Sequence, residues 1–153
     1  MIAYRIASRR HPIFDGAGAA EYGARWNSPG RPVIYAASSL SLATLEQLAH
    51  TETGRLPQDQ AFIEITIPNS VSIETLPISE VAGWSPDDLG TSRAFGDRWI
   101  AEQRTCALLV PSVIVPTEYN VLINPAHAEF AHVAASAPRN VIWDRRLTAF
   151  LKR

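Results

Sequence analysis

Cysteine is nearly absent: Cys106 stands alone among 153 residues, which excludes an internal disulfide and a cysteine-rich zinc site and makes a reducing cytoplasm the expected setting. No apolar run approaches the roughly 20 residues that span a bilayer. The opening MIAYRIASRRHP also lacks the apolar core of a signal peptide, so a cytoplasmic chain with no membrane association is expected. Charge is scarce as well, at 19% of residues, and it is balanced, 14 basic against 15 acidic for a net charge of -1. Such a balance gives no electrostatic footprint for a phosphate backbone, and direct nucleic-acid binding is not expected. A surface poor in charge is one that a partner can cover. His127 and His132 lie five apart with no third ligand nearby, so no metal site is expected. Asp15-Gly16-Ala17-Gly18-Ala19-Ala20-Glu21 begins like a dinucleotide-binding loop, but the third glycine is missing and no βαβ unit surrounds it.

What is present is a chain of one-domain size, large enough to bury roughly two-thirds of its unfolded surface. The spacing predicts a first strand over Ile2 to Ala7, carrying Arg5, and then a Gly- and Ala-rich loop from Ser8 to Ala24. Asn27-Ser28-Pro29-Gly30 is a turn signal before a strand over Val33 to Ala37. Ala61 to Ile67 alternates as a half-buried strand does, with Ile63, Ile65 and Ile67 inward, and Val71 to Leu76 is expected as its partner. Ser85-Pro86-Asp87-Asp88, or alternatively Ser92, signals a helix start that leads into Phe95 and Trp99, a core pair. Ala107 to Val110, Val113 to Val115 and Asn120 to Ile123 are β-like runs separated by Pro111 and Pro116, a region expected to border an edge or cleft. Asn124-Pro125 is expected to cap a short helix through Phe130, and Val141 to Trp143 to form a last strand. Short strands with a few interspersed helices, and no regular βαβ alternation, predict a single α+β domain with a largely antiparallel sheet over 1–153.

The stretch from Arg25 to His50 is the densest in chemistry. It sets a cation, Arg25, an aromatic hydroxyl, Tyr35, and a carboxylate, Glu46, on three consecutive elements. From Leu42 onward the pattern is helical: at about 100° per residue, Leu42, Leu45, Leu48 and Ala49 share a side, with Glu46 roughly 40° from Leu42 at its border. Ser39 or Ser41 is positioned to cap this helix. Taken singly, each residue also has an ordinary explanation. Glu46 suits a flank residue paired with His50, Arg25 a turn residue, Tyr35 a core residue with a satisfied hydroxyl, and Ser112 a residue bonding its own backbone.

The ordered set changes that balance. Arg5 in YRIA, then RWNSPGRPVIYAASSLSLATLEQL with Arg25, Tyr35 and Glu46, then the PS, N and NP elements of VPSVIVPTEYNVLINP, with Ser112 in the first and Asn120 as the second, together resemble the RES domain, a family named for its Arg, Glu and Ser. The resemblance implies a fold similar to diphtheria-toxin-type ADP-ribosyltransferases. It implies the toxin of a bacterial toxin–antitoxin pair, neutralised by a partner with an Xre-like helix-turn-helix region, and it leaves a homodimer within that complex open. It also implies NAD+ as substrate, with ADP-ribose passed to water, to phosphate or to a protein such as phosphoribosyl pyrophosphate synthetase. That range spans NAD+ glycohydrolase, phosphorylase and ADP-ribosyltransferase.

By the same resemblance, Glu46, Arg25, Tyr35 and Ser112 take the active-site positions, and Arg5 joins Arg25, Tyr35 and Ser112 as a cofactor contact. Loss of nicotinamide leaves positive charge on the ribose, which a fixed carboxylate favours, as in glycoside hydrolysis. Glu46 suits that role. Forked guanidinium groups on Arg25 and Arg5 match a diphosphate. Tyr35 can stack on nicotinamide or orient a ribose hydroxyl. Ser112 is read as hydrogen-bonding the carboxamide or the ribose, since no GxSxG elbow marks it as a nucleophile. From a different class, the alternative is a catalytically silent module that only binds a partner.

Overall fold

The computed structural model describes residues 1–51, 54–81, 84 and 87–151. In chain order the elements are β1 (Ile2–Ser8), α1 (Ala17–Tyr22), β2 (Ile34–Ala37), α2 (Leu40–Ala49), β3 (Gln60–Thr66), β4 (Ile73–Thr75), α3 (Ile78–Val81), α4 (Gly90–Glu102), β5 (Ala107–Pro111) and β6 (Tyr119–Ile123). A 3-10 turn over Ala128–His132, β7 (Ala134–Ala135), β8 (Arg139–Asn140), a second 3-10 turn over Arg145–Leu147 and α5 (Thr148–Leu151) complete the described chain.

The strands form one mixed sheet in the order β4-β5-β6-β2-β1-β3-β7, with β8 also pairing with β3. Each pairing is antiparallel except β4 with β5. The expected α+β architecture with a largely antiparallel sheet is therefore the one the chain adopts.

Alternation along the strands gives the sheet two apolar faces. One buries Ala3, Ile34, Ala36, Ile63, Ile65, Val121 and Ile123 beneath Ile13, Phe14, Phe130 and Val133. The other is covered in two separate halves. Leu108, Val110, Leu122 and Tyr35 pack with Trp26, Val33 and the α4 residues Trp99 and Ile100, whereas Ile6, Ala37 and Tyr4 pack under Leu42 and Ala43 of α2. The gap between these halves is where the cleft lies.

The sheet itself loosens at this gap. β1 runs the full length of β3, from Ile2 opposite Thr66 to Ser8 opposite Gln60, but it meets β2 at a single pair, Tyr4 opposite Ala37. Continued in register, the ladder would set Arg5 against Ala36 and Ile6 against Tyr35. The strands part instead, and the Arg5 guanidinium bonds the Tyr35 carbonyl across the opening.

Several expectations are corrected. Val71 to Leu76 supplies β4, but its partner is β5 in parallel and not Ala61 to Ile67. Val113 to Val115 is a turn and not a strand, because the Ser112 hydroxyl accepts from the N–H of both Ile114 and Val115, taking the donors a ladder would need. Ser92 does not start a helix: it lies inside α4, buried, with its hydroxyl on the Leu89 and Arg25 carbonyls. The alternative start at Ser85 and Pro86 lies outside the described residues. The Ser8 to Ala24 segment contains α1, and Asn124-Pro125 leads to a 3-10 turn capped by His127 and not to an α-helix. Val141 to Trp143 forms no strand, and the last pairings are those of β7 and β8 with β3.

Candidate active site

Glu46 reaches the cleft because α2 is rotated about its axis relative to the expected stripe. Leu42 and Ala43 are the buried residues of α2, while Leu45 is 44% exposed and Ala49 faces solvent. On the wheel Glu46 falls between Leu42 and Ala43, so it stands at the middle of the inward side and not at its border. Ser39, not Ser41, caps the helix, its extended backbone leaving the side chain free to accept from Leu42 N–H at 3.0 Å.

The carboxylate is then held from the sheet. Oε1 accepts from the Ser112 hydroxyl at 2.8 Å and from Asn120 Nδ2 at 2.6 Å. Ser112 follows the last residue of β5 and is 2% exposed. Among the described residues no ion pair joins Glu46 to His50, so the flank-pair reading does not apply.

Arg25 is placed by the loop between α1 and β2. The fully buried Asn27 ties this loop together: Nδ2 donates to the carbonyls of Ala19, Ser28 and Arg31, and Oδ1 accepts from the Tyr35 hydroxyl at 2.7 Å. The same hydroxyl accepts from Trp26 N–H at 3.1 Å. α4 grips the loop from outside, with Ser92 donating to the Arg25 carbonyl, Arg93 Nε donating to the Ala24 carbonyl, and Asp97 accepting from Ser28 N–H and hydroxyl. Gly96 makes this approach possible, since a Cβ there would sit 1.8 Å from the Trp26 carbonyl oxygen.

Arg5 donates Nε to the Ile13 carbonyl at 2.7 Å and Nη1 to the Tyr35 carbonyl at 2.8 Å. Burial lowers its pKa, opposed by the nearby Asp15. Burial likewise raises the Tyr35 phenol, outweighing the Trp26 N–H and the arginines nearby that favour its ionised form.

The cleft encloses about 550 Å³, within the usual range for a small-molecule site. Arg5, Arg25, Tyr35 and Glu46 all line it. Ser112 does not; it stands behind Glu46 and reaches the cleft through that carboxylate. Pro111 lines the cleft, as the proline-bordered region was expected to. The walls also include Tyr4, Trp26 and Gln47, His50, expected only as a flank partner of Glu46, and Asn120, part of the family resemblance but given no site role there. A signal for Asn120 was available: it shares a strand face with Leu122, so a polar side chain stands where the alternation asks for an apolar one. Its Oδ1 is buried without a partner among the described residues, a cost of about 1–3 kcal/mol.

The family model of the RES domain matches residues 2–144. This chain belongs to the RES domain family. Among curated relatives of this RES domain is the Prs ADP-ribosylating toxin of Sphingobium sp. (strain YBL2), 44% identical over 141 residues that cover 87% of this chain and 85% of the relative. Toxin Res of Yersinia enterocolitica is 37% identical over 151 residues, covering 96% and 99%. The fold is similar to a chain in the crystal structure of the M. tuberculosis MbcT-MbcA toxin-antitoxin complex, with TM-score 0.74 and 19% identity over 98% of this chain and 87% of that one. Among its described residues the RES domain has no helix long and apolar enough to cross a membrane.

Proposed function

We propose that the cleft binds NAD+ and breaks the bond between nicotinamide and ribose, and that the chain is the toxin of a toxin–antitoxin pair. The observation that carries this reading is a carboxylate, Glu46, fixed through one oxygen on the wall of a cleft that two arginines also line. A dinucleotide presents both complements, a diphosphate for the cations and, at the reacting carbon, a positive charge for the anion.

The C1'–N bond breaks with its electron pair going to the ring, and the pyridinium leaves as neutral nicotinamide. The oxocarbenium-like ribose that remains is stabilised by Glu46. An incoming nucleophile then bonds to C1' and gives up its proton, with Glu46, the carboxylate on the cleft wall, as the acceptor. Arg25 takes the diphosphate, and Arg5 assists through Nη2, its Nε and Nη1 being committed to backbone carbonyls. Tyr35 contributes its ring to the nicotinamide, since its hydroxyl serves Asn27 and Trp26. Ser112 acts by positioning Glu46.

A relative named as an ADP-ribosylating toxin supports transfer to a protein acceptor, with water and phosphate as the other acceptors the chemistry allows. An antitoxin with an Xre-like region, a cytoplasmic setting and a homodimer within the complex belong to the same proposal.

The test is to incubate the chain, freed of any co-purified partner, with NAD+ in phosphate and in non-phosphate buffer beside Glu46→Gln, following nicotinamide by chromatography. Release by wild type with loss of at least about a hundredfold in the variant is expected. The product in each buffer names the acceptor. Release only on adding cell lysate, with label on one protein, identifies a protein acceptor. Intact NAD+ under all these conditions, with the chain shown to be folded, overturns the proposal in favour of a silent binding module.

A further inference from the structure

The two donors on Glu46 Oε1 differ in what else they do. Ser112 also closes a turn through Ile114 and Val115 N–H, so it serves the backbone whether or not Glu46 is there. Asn120 has no such second duty. Its Nδ2 donates to Glu46 at 2.6 Å, and its Oδ1 is buried and unpaired among the described residues. The amide cannot be turned round, because that would set its carbonyl oxygen against a carboxylate oxygen. For stability alone, an apolar side chain beside Leu122 would serve better at this position of β6. Glu46 Oε2, meanwhile, accepts no hydrogen bond from the described residues.

We infer that Asn120 is a positioning residue for the cleft carboxylate: with Ser112 it pins Oε1 to the β5–β6 side and so presents Oε2 to the reacting ribose. This rests on reading the cleft as an NAD+ site. Two neutral donors on a single oxygen fix the rotamer of Glu46 without neutralising its charge, which is what stabilising a developing cation requires. One donor alone would leave the carboxylate free to pivot about that bond.

The test compares Asn120→Leu and Asn120→Asp with wild type. The first replaces the amide by an apolar group of similar shape, and the second keeps the shape but removes the N–H donor. For Asn120→Leu we expect a melting temperature at or above that of wild type. We expect kcat for nicotinamide release to fall on the order of ten- to a hundredfold with KM within about twofold, and Asn120→Asp to fall at least as far. A kcat within about threefold of wild type in either variant, a loss carried by KM, or a lowered melting temperature for Asn120→Leu overturns the inference. If wild type itself releases no nicotinamide, the NAD+ reading has failed, and crystal structures of wild type and Asn120→Leu decide the positioning role. A Glu46 carboxylate swung off Ser112 supports it, and one left in place overturns it.

Discussion

The Tyr35 hydroxyl is satisfied on both sides, donating to Asn27 and accepting from Trp26 N–H. Tyr35→Phe removes both bonds and leaves a buried N–H and a buried carbonyl oxygen short of partners. A loss of about 1–3 kcal/mol in urea denaturation is expected. The phenol also writes a pH dependence. Its pKa in the folded protein lies above the unfolded value of about 10, raised first by burial. The stability linked to the neutral phenol is therefore complete below about pH 10 and is lost as pH climbs through the folded value. Stability measured above pH 10 should fall more steeply in wild type than in Tyr35→Phe. Cys106 follows the same sign over a lower window: burial, and then Glu129, push its thiol from 9.0 up to about 11. Iodoacetamide at pH 8 should accordingly label Cys106 only once the chain is unfolded.

At the scale of elements, α4 clasps the Arg25 loop through Ser92, Arg93 and Asp97, and Gly96 sets how closely the two approach. Gly96→Ala drives a methyl group into the Trp26 carbonyl. Because a backbone atom is what it meets, no rotamer change relieves the clash, and a loss of at least about 1–3 kcal/mol is expected together with loss of turnover. Asp97→Ala removes the acceptor for Ser28 N–H and hydroxyl and should cost about 1.5–3 kcal/mol by thermal or urea denaturation. Elements were legible in the sequence where the signal is local. The alternation of Ile63, Ile65 and Ile67 predicts β3, and the serine before Leu40 predicts α2. Others were hidden because side chains compete for the backbone: Ser112 turns a run of three β-branched residues into a turn. The rotation of α2 was hidden too, since all of its apolar residues look alike on a wheel. Only the sheet decides that Leu42 and Ala43 go inward and Leu45 does not.

For the whole molecule, what the sequence could not reveal is what depends on distant pairing. Nothing in Val71 to Leu76 says that its partner is the parallel strand over thirty residues away, and nothing in Asn120 says that Glu46, 74 residues earlier, will meet it. The four expected site residues that do line the cleft, Arg5, Arg25, Tyr35 and Glu46, come from β1, the α1–β2 loop, β2 and α2, and the cleft exists only once the two halves of one sheet face are covered separately. A ligand that fills it should tie those halves together. Glu46→Gln, able to bind without turning over, is expected to gain about 2.7 kcal/mol of stability at an NAD+ concentration a hundred times Kd. A melting curve unmoved by NAD+ at millimolar concentration counts against the cleft as the binding site.

The parting of β1 from β2 has a practical consequence. Past Tyr4 and Ala37 the Arg5 side chain bonds the strands across the opening, in place of a backbone ladder, so its cation is at once a fastener and a cleft group. A variant lacking it would lose assembly and chemistry together, and its silence would teach nothing about either. Anyone wanting a disarmed chain that cells can produce in quantity, to capture binding partners or raise antibodies, should leave that arginine alone and alter Glu46, whose carboxylate bonds two side chains of the sheet but takes no part in joining one strand to the next.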